Sequence, residues 1–293
     1  MLARRRLSDT PASSNDSERV FARPECRGQP GERHYRPAMT VHTEIHDSVL
    51  VVTIDRPERR NAVDGPTATE LSEAFTAFEE DDSLSVAILT GANGTFCAGA
   101  DLKAISTGNG NRIDRTGPGP MGPTRLDLSK PVIAAVEGFA VAGGLELAVW
   151  CDLRVAAEDA TFGVYCRRWG VPLVDGGTIR LPRLIGSSLA NDMILTGRAV
   201  EGPEAAHIGL VNRLSAPGQA LDDALSLARE LAAFPQRCLR SDLRSTKDQW
   251  SLSMTEALLH ETLLGRETVA SGETQAGAAR FAEGAGRHGA PAD

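Results

Sequence analysis

Two strands that are apolar on both faces, each running into a glycine-rich turn and then a helix, constrain this chain more than any other feature. "VAILT" (86–90) passes through "GANGTFCAGADL" (91–102) towards a short helix at "DLKAI", and "VIAAV" (132–136) passes through "EGFAVAGGLELA" (137–148) into a longer one. A strand with no polar face must be covered on both sides, so both belong inside a sheet sandwiched by helices. Around them "TEIHD" and "SVLVVTID" read as a hairpin, "TATELSEAFTAFEED" as an amphipathic helix, "GGLELAVWC" as a helix and "DLRVAA" as a strand. The expected class is therefore α/β. Beyond Gly209, "LDDALSLARELAAF", "QRCLRSDLRSTKDQW", "MTEALLHETLLGRETVA" and "ETQAGAARFAEG" all carry apolar residues at helical spacing.

The flanks lack such patterns. Residues 1–38 are rich in Arg, Pro, Ser and Gly and are expected to be disordered, with a core over 39–215, a helical region over 216–287 and a frayed tail at 288–293. The segment 106–124, full of Gly, Pro and Asn, is a long loop, and loops of that length are usually functional. With 39 acidic and 31 basic residues the net charge is −8, which argues against nucleic acid as a partner. Cys26, Cys97, Cys151, Cys166 and Cys238 are scattered, with no C-x-x-C pair and no zinc-like spacing, so no metal is expected and a reducing cytoplasm is the expected location. No stretch approaches the roughly 18 apolar residues of a membrane span, and the Arg-rich start lacks the apolar segment of a secretory signal.

A strand-to-helix turn leaves backbone N–H groups without intrahelical acceptors. Two such groups converging on one oxygen form an oxyanion hole, and Ala98 and Gly143 are the natural donors; the alternative is that the glycines only permit tight turns. Glu146 falls in the first turn of the helix after Gly143, either as a helix-stabilising acid or as an acid/base group. Cys166 stands in "TFGVYCRRWGVPLVDGGTIRL" beside Arg167 and Arg168, which would favour a thiolate, yet no Cys/His signature surrounds it. Asp175, in "PLVDGGT", precedes another helix and is a candidate cap.

Taken together, "DRPERRNAVD", "GTFCAGADL", "GFAVAGGLELAVWCDLRVAAEDATFG" and "LTGRAVEGPEAAHIGLVNRL" resemble the crotonase, or enoyl-CoA hydratase/isomerase, superfamily from about Thr40 to about Arg287. The resemblance implies a crotonase-like spiral of ββα units in the core and a helical C-terminal region used in oligomerisation, as a homotrimer or a dimer of trimers. It implies an acyl-CoA thioester as substrate, with no further cofactor, its carbonyl oxygen held by Ala98 and Gly143. Arg59, Arg60, Ala62, Ala100, Asp101, Leu102 and Lys103 match regions lining the coenzyme A site, and Glu146 matches a catalytic glutamate of the hydratases. The second hydratase glutamate aligns with Cys166, so that carboxylate is missing; some relatives use an aspartate from about the loop of Asp175. The expected activity is that of an enoyl-CoA hydratase, with enoyl- or dienoyl-CoA isomerisation, a non-catalytic acyl-CoA-binding homologue and nucleophilic acyl transfer through Cys166 as alternatives.

Overall fold

The computed structural model of the chain describes residues 39–286. The segments 1–38 and 288–293, expected above to be disordered and frayed, lie outside the described residues. The strands are β1 (Val41–His46), β2 (Val49–Ile54), β3 (Val86–Gly91), β4 (Val132–Val136), β5 (Phe139–Val141), β6 (Leu153–Ala157), β7 (Thr161–Gly163), β8 (Ala199–Glu201) and β9 (Arg213–Ser215). The helices begin with α1 (Gly65–Glu80), α2 (Leu102–Ser106), α3 (Gly143–Trp150), α4 (Gly177–Ile185) and α5 (Ser187–Thr196). They continue with α6 (Gly202–His207), α7 (Ala220–Ala233), α8 (Gln236–Asp248), α9 (Met254–Ala270) and α10 (Glu273–Glu283).

One sheet runs β1-β2-β3-β4-β6-β9, and β5-β7-β8 form a second. β1 and β2 are the expected hairpin; every later pairing in the large sheet is parallel. The chain alternates between the sheets, since β4, β5 and α3 form one ββα unit and β6, β7 and α4 the next.

Strand periodicity divides the core. Ala87, Leu89, Val132, Ala134 and Val136 point into one apolar cluster, shared with α1 and α3, while Val86, Ile88, Ile133 and Ala135 point into another. Ala224, Leu227 and Ala228 of α7 cover that second face. The expected boundary at 215/216 thus falls between β9 and a helix that packs on the sheet.

Arg154 of β6 fixes the far end of α3. Only 2% exposed, its guanidinium donates to the carbonyls of Leu210 (2.7 Å) and Cys151 (2.7 Å), more weakly to Ala148 (3.4 Å), and to Asn212 Oδ1 (3.2 Å). Ala148 and Cys151 lie at the C-terminal end of α3, where unpaired carbonyls gather and a cation is favoured. Arg154→Met fills similar space yet strands those carbonyls, so unfolding in urea should show a loss of about 3 kcal/mol, the penalty for at least one buried unmade hydrogen bond. A loss below about 0.5 kcal/mol would remove Arg154 from this role.

Candidate active site

The two glycine-rich turns meet because β5 pairs with the first of them. Cys97 N–H donates to Phe139 O (2.8 Å) and Val141 N–H donates to Cys97 O (3.1 Å). The fit is close: a Cβ at Gly144 would lie 2.1 Å from Cys97 O. Ala142, whose φ of 55° is unusual for a residue with a side chain, then turns the chain into α3. Gly143 is the first residue of that helix, so its N–H has no intrahelical acceptor. Ala98 lies beside it, but its N–H already donates to the Arg60 carbonyl at 3.1 Å. Two open donors were expected, and the structure leaves one open and one engaged.

A cavity of about 280 Å³ opens over these turns. It gathers Arg60, Ala98, Ala100, Leu102, Gly143, Glu146 and Asp175 from the residues expected of the site, together with Cys166. Arg59 and Lys103 are exposed beside residues of its wall. Ala62 and Asp101 do not line it. Asp101 caps α2 through the N–H groups of Lys103 and Ala104 and pairs with Arg56 at 3.2 Å, while the Ala62 carbonyl also accepts from Arg56. Arg56 further pairs with Asp64, the cap of α1, at 2.8 Å, so one guanidinium ties both helix starts together.

Glu146, 2% exposed, is held by the turn that leads into α4. Its Oε1 accepts from the N–H groups of Asp175 (2.9 Å) and Gly177 (2.8 Å), and a Cβ at Gly177 would lie 2.9 Å from Glu146 Cγ. Burial pushes its pKa up to about 7, against the lowering effect of the Gly177 N–H and with a further rise from the charge of Asp175. Such a carboxyl can give or take a proton near neutral pH.

Asp175 is not the cap of α4. That position belongs to Gly176, in the left-handed region with φ 94°, and the Asp175 side chain turns the other way. Its Oδ1 accepts from Met121 N–H (2.9 Å) and the Thr124 hydroxyl, and burial raises its pKa. Arg180 closes the arrangement by donating to the Asp175 and Thr124 carbonyls, both at 2.8 Å.

Cys166 is buried in a tight helical turn, Tyr165–Trp169. Burial first, then the charge of Glu146, pushes its thiol pKa up. The neighbouring arginines are occupied elsewhere: Arg167 donates to Ile194 O, and Arg168 stacks on Tyr165 and donates to Gly197 O. The environment therefore favours a neutral thiol over a nucleophilic thiolate.

Arg56, Thr124, Arg180, Met121 and Trp169 also take part in this arrangement, and none of them stands out in the sequence as a site residue. The "GPMGPTR" end of the long loop, dense in turn residues, was the available signal for Met121 and Thr124.

Known proteins resemble this chain over most of its length. The family model described as Enoyl-CoA hydratase/isomerase matches residues 44–288. Enoyl-CoA hydratase EchA19 of Mycobacterium tuberculosis is 37% identical over 247 residues, spanning 82% of this chain and 92% of that protein. A carnitinyl-CoA dehydratase of Salmonella arizonae is 42% identical over 205 residues, 68% of this chain and 78% of that protein. A crystal structure of an enoyl-CoA hydratase from M. tuberculosis H37Rv superposes with a TM-score of 0.79 at 38% identity, covering 84% of this chain and 96% of that one. The sheet-to-sheet alternation, the paired glycine turns and a match over most of the chain lead to one conclusion: the chain belongs to the enoyl-CoA hydratase/isomerase family, within the crotonase superfamily.

Proposed function

We propose that the chain is an acyl-CoA lyase of the enoyl-CoA hydratase type, with Glu146 and Asp175 as its acid/base pair. The observation that carries this is the meeting of two buried carboxyls of raised pKa with the open first N–H of α3 in a single cavity. The thioester carbonyl oxygen accepts from Gly143 N–H and shares the Ala98 N–H with the Arg60 carbonyl. One carboxylate takes a proton from water as the water oxygen bonds to Cβ; the Cα–Cβ π electrons move onto the thioester as an enolate, and the other carboxylic acid protonates Cα. The donors lower the cost of the oxyanion, and burial strengthens them.

Arg59, Arg60 and Lys103 place exposed positive charge beside the cavity for the coenzyme A phosphates, and no resident cofactor takes part. The apolar side chains that α9 leaves exposed, among them Met254, Leu258, Leu259 and Leu263, suit subunit contacts in a trimer or a dimer of trimers. The four described cysteines are free, which suits a reducing cytoplasm. No described helix is long and apolar enough to cross a membrane.

Isomerisation is the second reading, favoured by Cys166 at the position of the second hydratase glutamate, since a 1,3-proton shift needs only one shuttling carboxyl. A panel of enoyl- and dienoyl-CoA thioesters followed by mass spectrometry and chromatography separates the two: hydration adds one water, and isomerisation changes retention alone. Binding without turnover of any member would sink the enzyme reading. Cys166→Ser should keep kcat within about threefold, because a neutral thiol contributes no charge; a covalent acyl adduct at Cys166 would assign nucleophilic transfer instead.

A further inference from the structure

We infer that the site selects acyl chains longer than four carbons and apolar to their ends, the distal part lying across a rim made by Ile105, Ile113 and Trp169. This rests on the acyl-CoA reading above and names the acyl class. The three side chains are 56%, 65% and 73% exposed, and all line the cavity that holds Glu146. They come from separate segments: α2, the loop after it and the Tyr165–Trp169 turn that holds Cys166. Exposed apolar residues scattered singly need no explanation, but these three line one cavity, and apolar side chains gathered at a cavity that also holds a few polar groups mark a ligand site.

The rim is held in place on both sides. Gly65 N–H donates to Asn109 O (2.9 Å), Asn111 Nδ2 to Pro120 O (2.8 Å) and Arg125 to Asp114 O (2.7 Å), so Ile113 is presented between anchored points. The Trp169 turn is fixed by Arg167 and Arg168 through Ile194 O and Gly197 O. Val171, Pro172 and Met121 line the same cavity and add apolar surface to it. On this inference a four-carbon acyl group stops short of the rim, whereas each further methylene that covers it gains about three- to fourfold in affinity.

The test is calorimetric binding of butyryl-, hexanoyl-, octanoyl- and decanoyl-CoA to the full chain, with free coenzyme A as reference. These saturated thioesters cannot be hydrated, so the result does not depend on turnover. Kd should fall about three- to fourfold per methylene through the series, and Trp169→Ala with Ile113→Ser should flatten the fall beyond hexanoyl. A flat series in the unmodified protein overturns the inference, even where enoyl-CoA hydration is found. A steep series with no turnover of any enoyl-CoA leaves it standing and removes the lyase reading. If the double variant keeps the steep series but changes its sedimentation, a second copy of the chain covers the rim and the inference falls.

Discussion

Glu146→Gln is expected to lower kcat for an enoyl-CoA by about 10²- to 10⁴-fold, the range for a lost acid/base group, while raising stability at alkaline pH. Gln keeps an oxygen to accept from the Asp175 and Gly177 N–H groups, so the turn before α4 keeps its anchor. What disappears is a buried ionisable group whose pKa burial has pushed from 4.5 to about 7. The sign follows from proton binding: between those values the folded chain holds a proton that the unfolded chain has released. The stability this group contributes is therefore complete below about pH 4.5 and is lost as pH rises through about 7. A shift of that size corresponds to about 3 kcal/mol. Urea unfolding of both proteins should give matched stabilities near pH 4.5 and a more stable variant at pH 8, while the unmodified enzyme gains its base-dependent rate through about pH 7. An activity loss below about tenfold, or a stability difference that ignores pH, would displace Glu146 from the centre of the site.

How much of this was legible from residues alone depended on the range of the interactions involved. β3 and β4 announce themselves because each is apolar on both faces, and the helical spacing of 254–270 gives α9 with the bounds the sequence suggests. β5, β7 and β8 are three residues each, too short for a period, and exist through pairing across the second sheet. Glu146 could be found because it stands in the first helical turn after Gly143, inside a motif that resembles the family's, although the Asp175 and Gly177 N–H groups that hold it are 29 and 31 residues away. Asp175 remained open between cap and acid, and only the folded chain shows Gly176 taking the cap while Met121 and Thr124 hold the carboxylate. Arg56 to Asp101 and Arg180 to Thr124 bridge 45 and 56 residues, so no local pattern encodes them. The same holds for the Arg60 carbonyl on Ala98 N–H, since Arg60 and Asn61 both adopt positive φ and Asn61 is locked by Ala92 O and Thr95 O.

Asp175→Asn addresses the absent second glutamate directly, and hydration should fall by about 10²-fold or more. The Asn oxygen still accepts from Met121 N–H and Thr124, and Arg180 still holds the backbone carbonyl, so positions persist while one proton site is lost. Hydration moves two protons, one off water and one onto Cα, and a single carboxyl cannot be base and acid at the same instant. The charge of Asp175 raises the pKa of Glu146, so the unmodified enzyme should show a bell-shaped pH profile that belongs to the pair. In the variant one limb should vanish. Isomerisation of a 3-enoyl-CoA, which Glu146 can shuttle unaided, should survive better than hydration, and the ratio of the two rates measures the part played by Asp175. If the bell persists with kcat within about threefold of the unmodified enzyme, another group moves the second proton, and the carboxyl absent at Cys166 has been replaced from elsewhere.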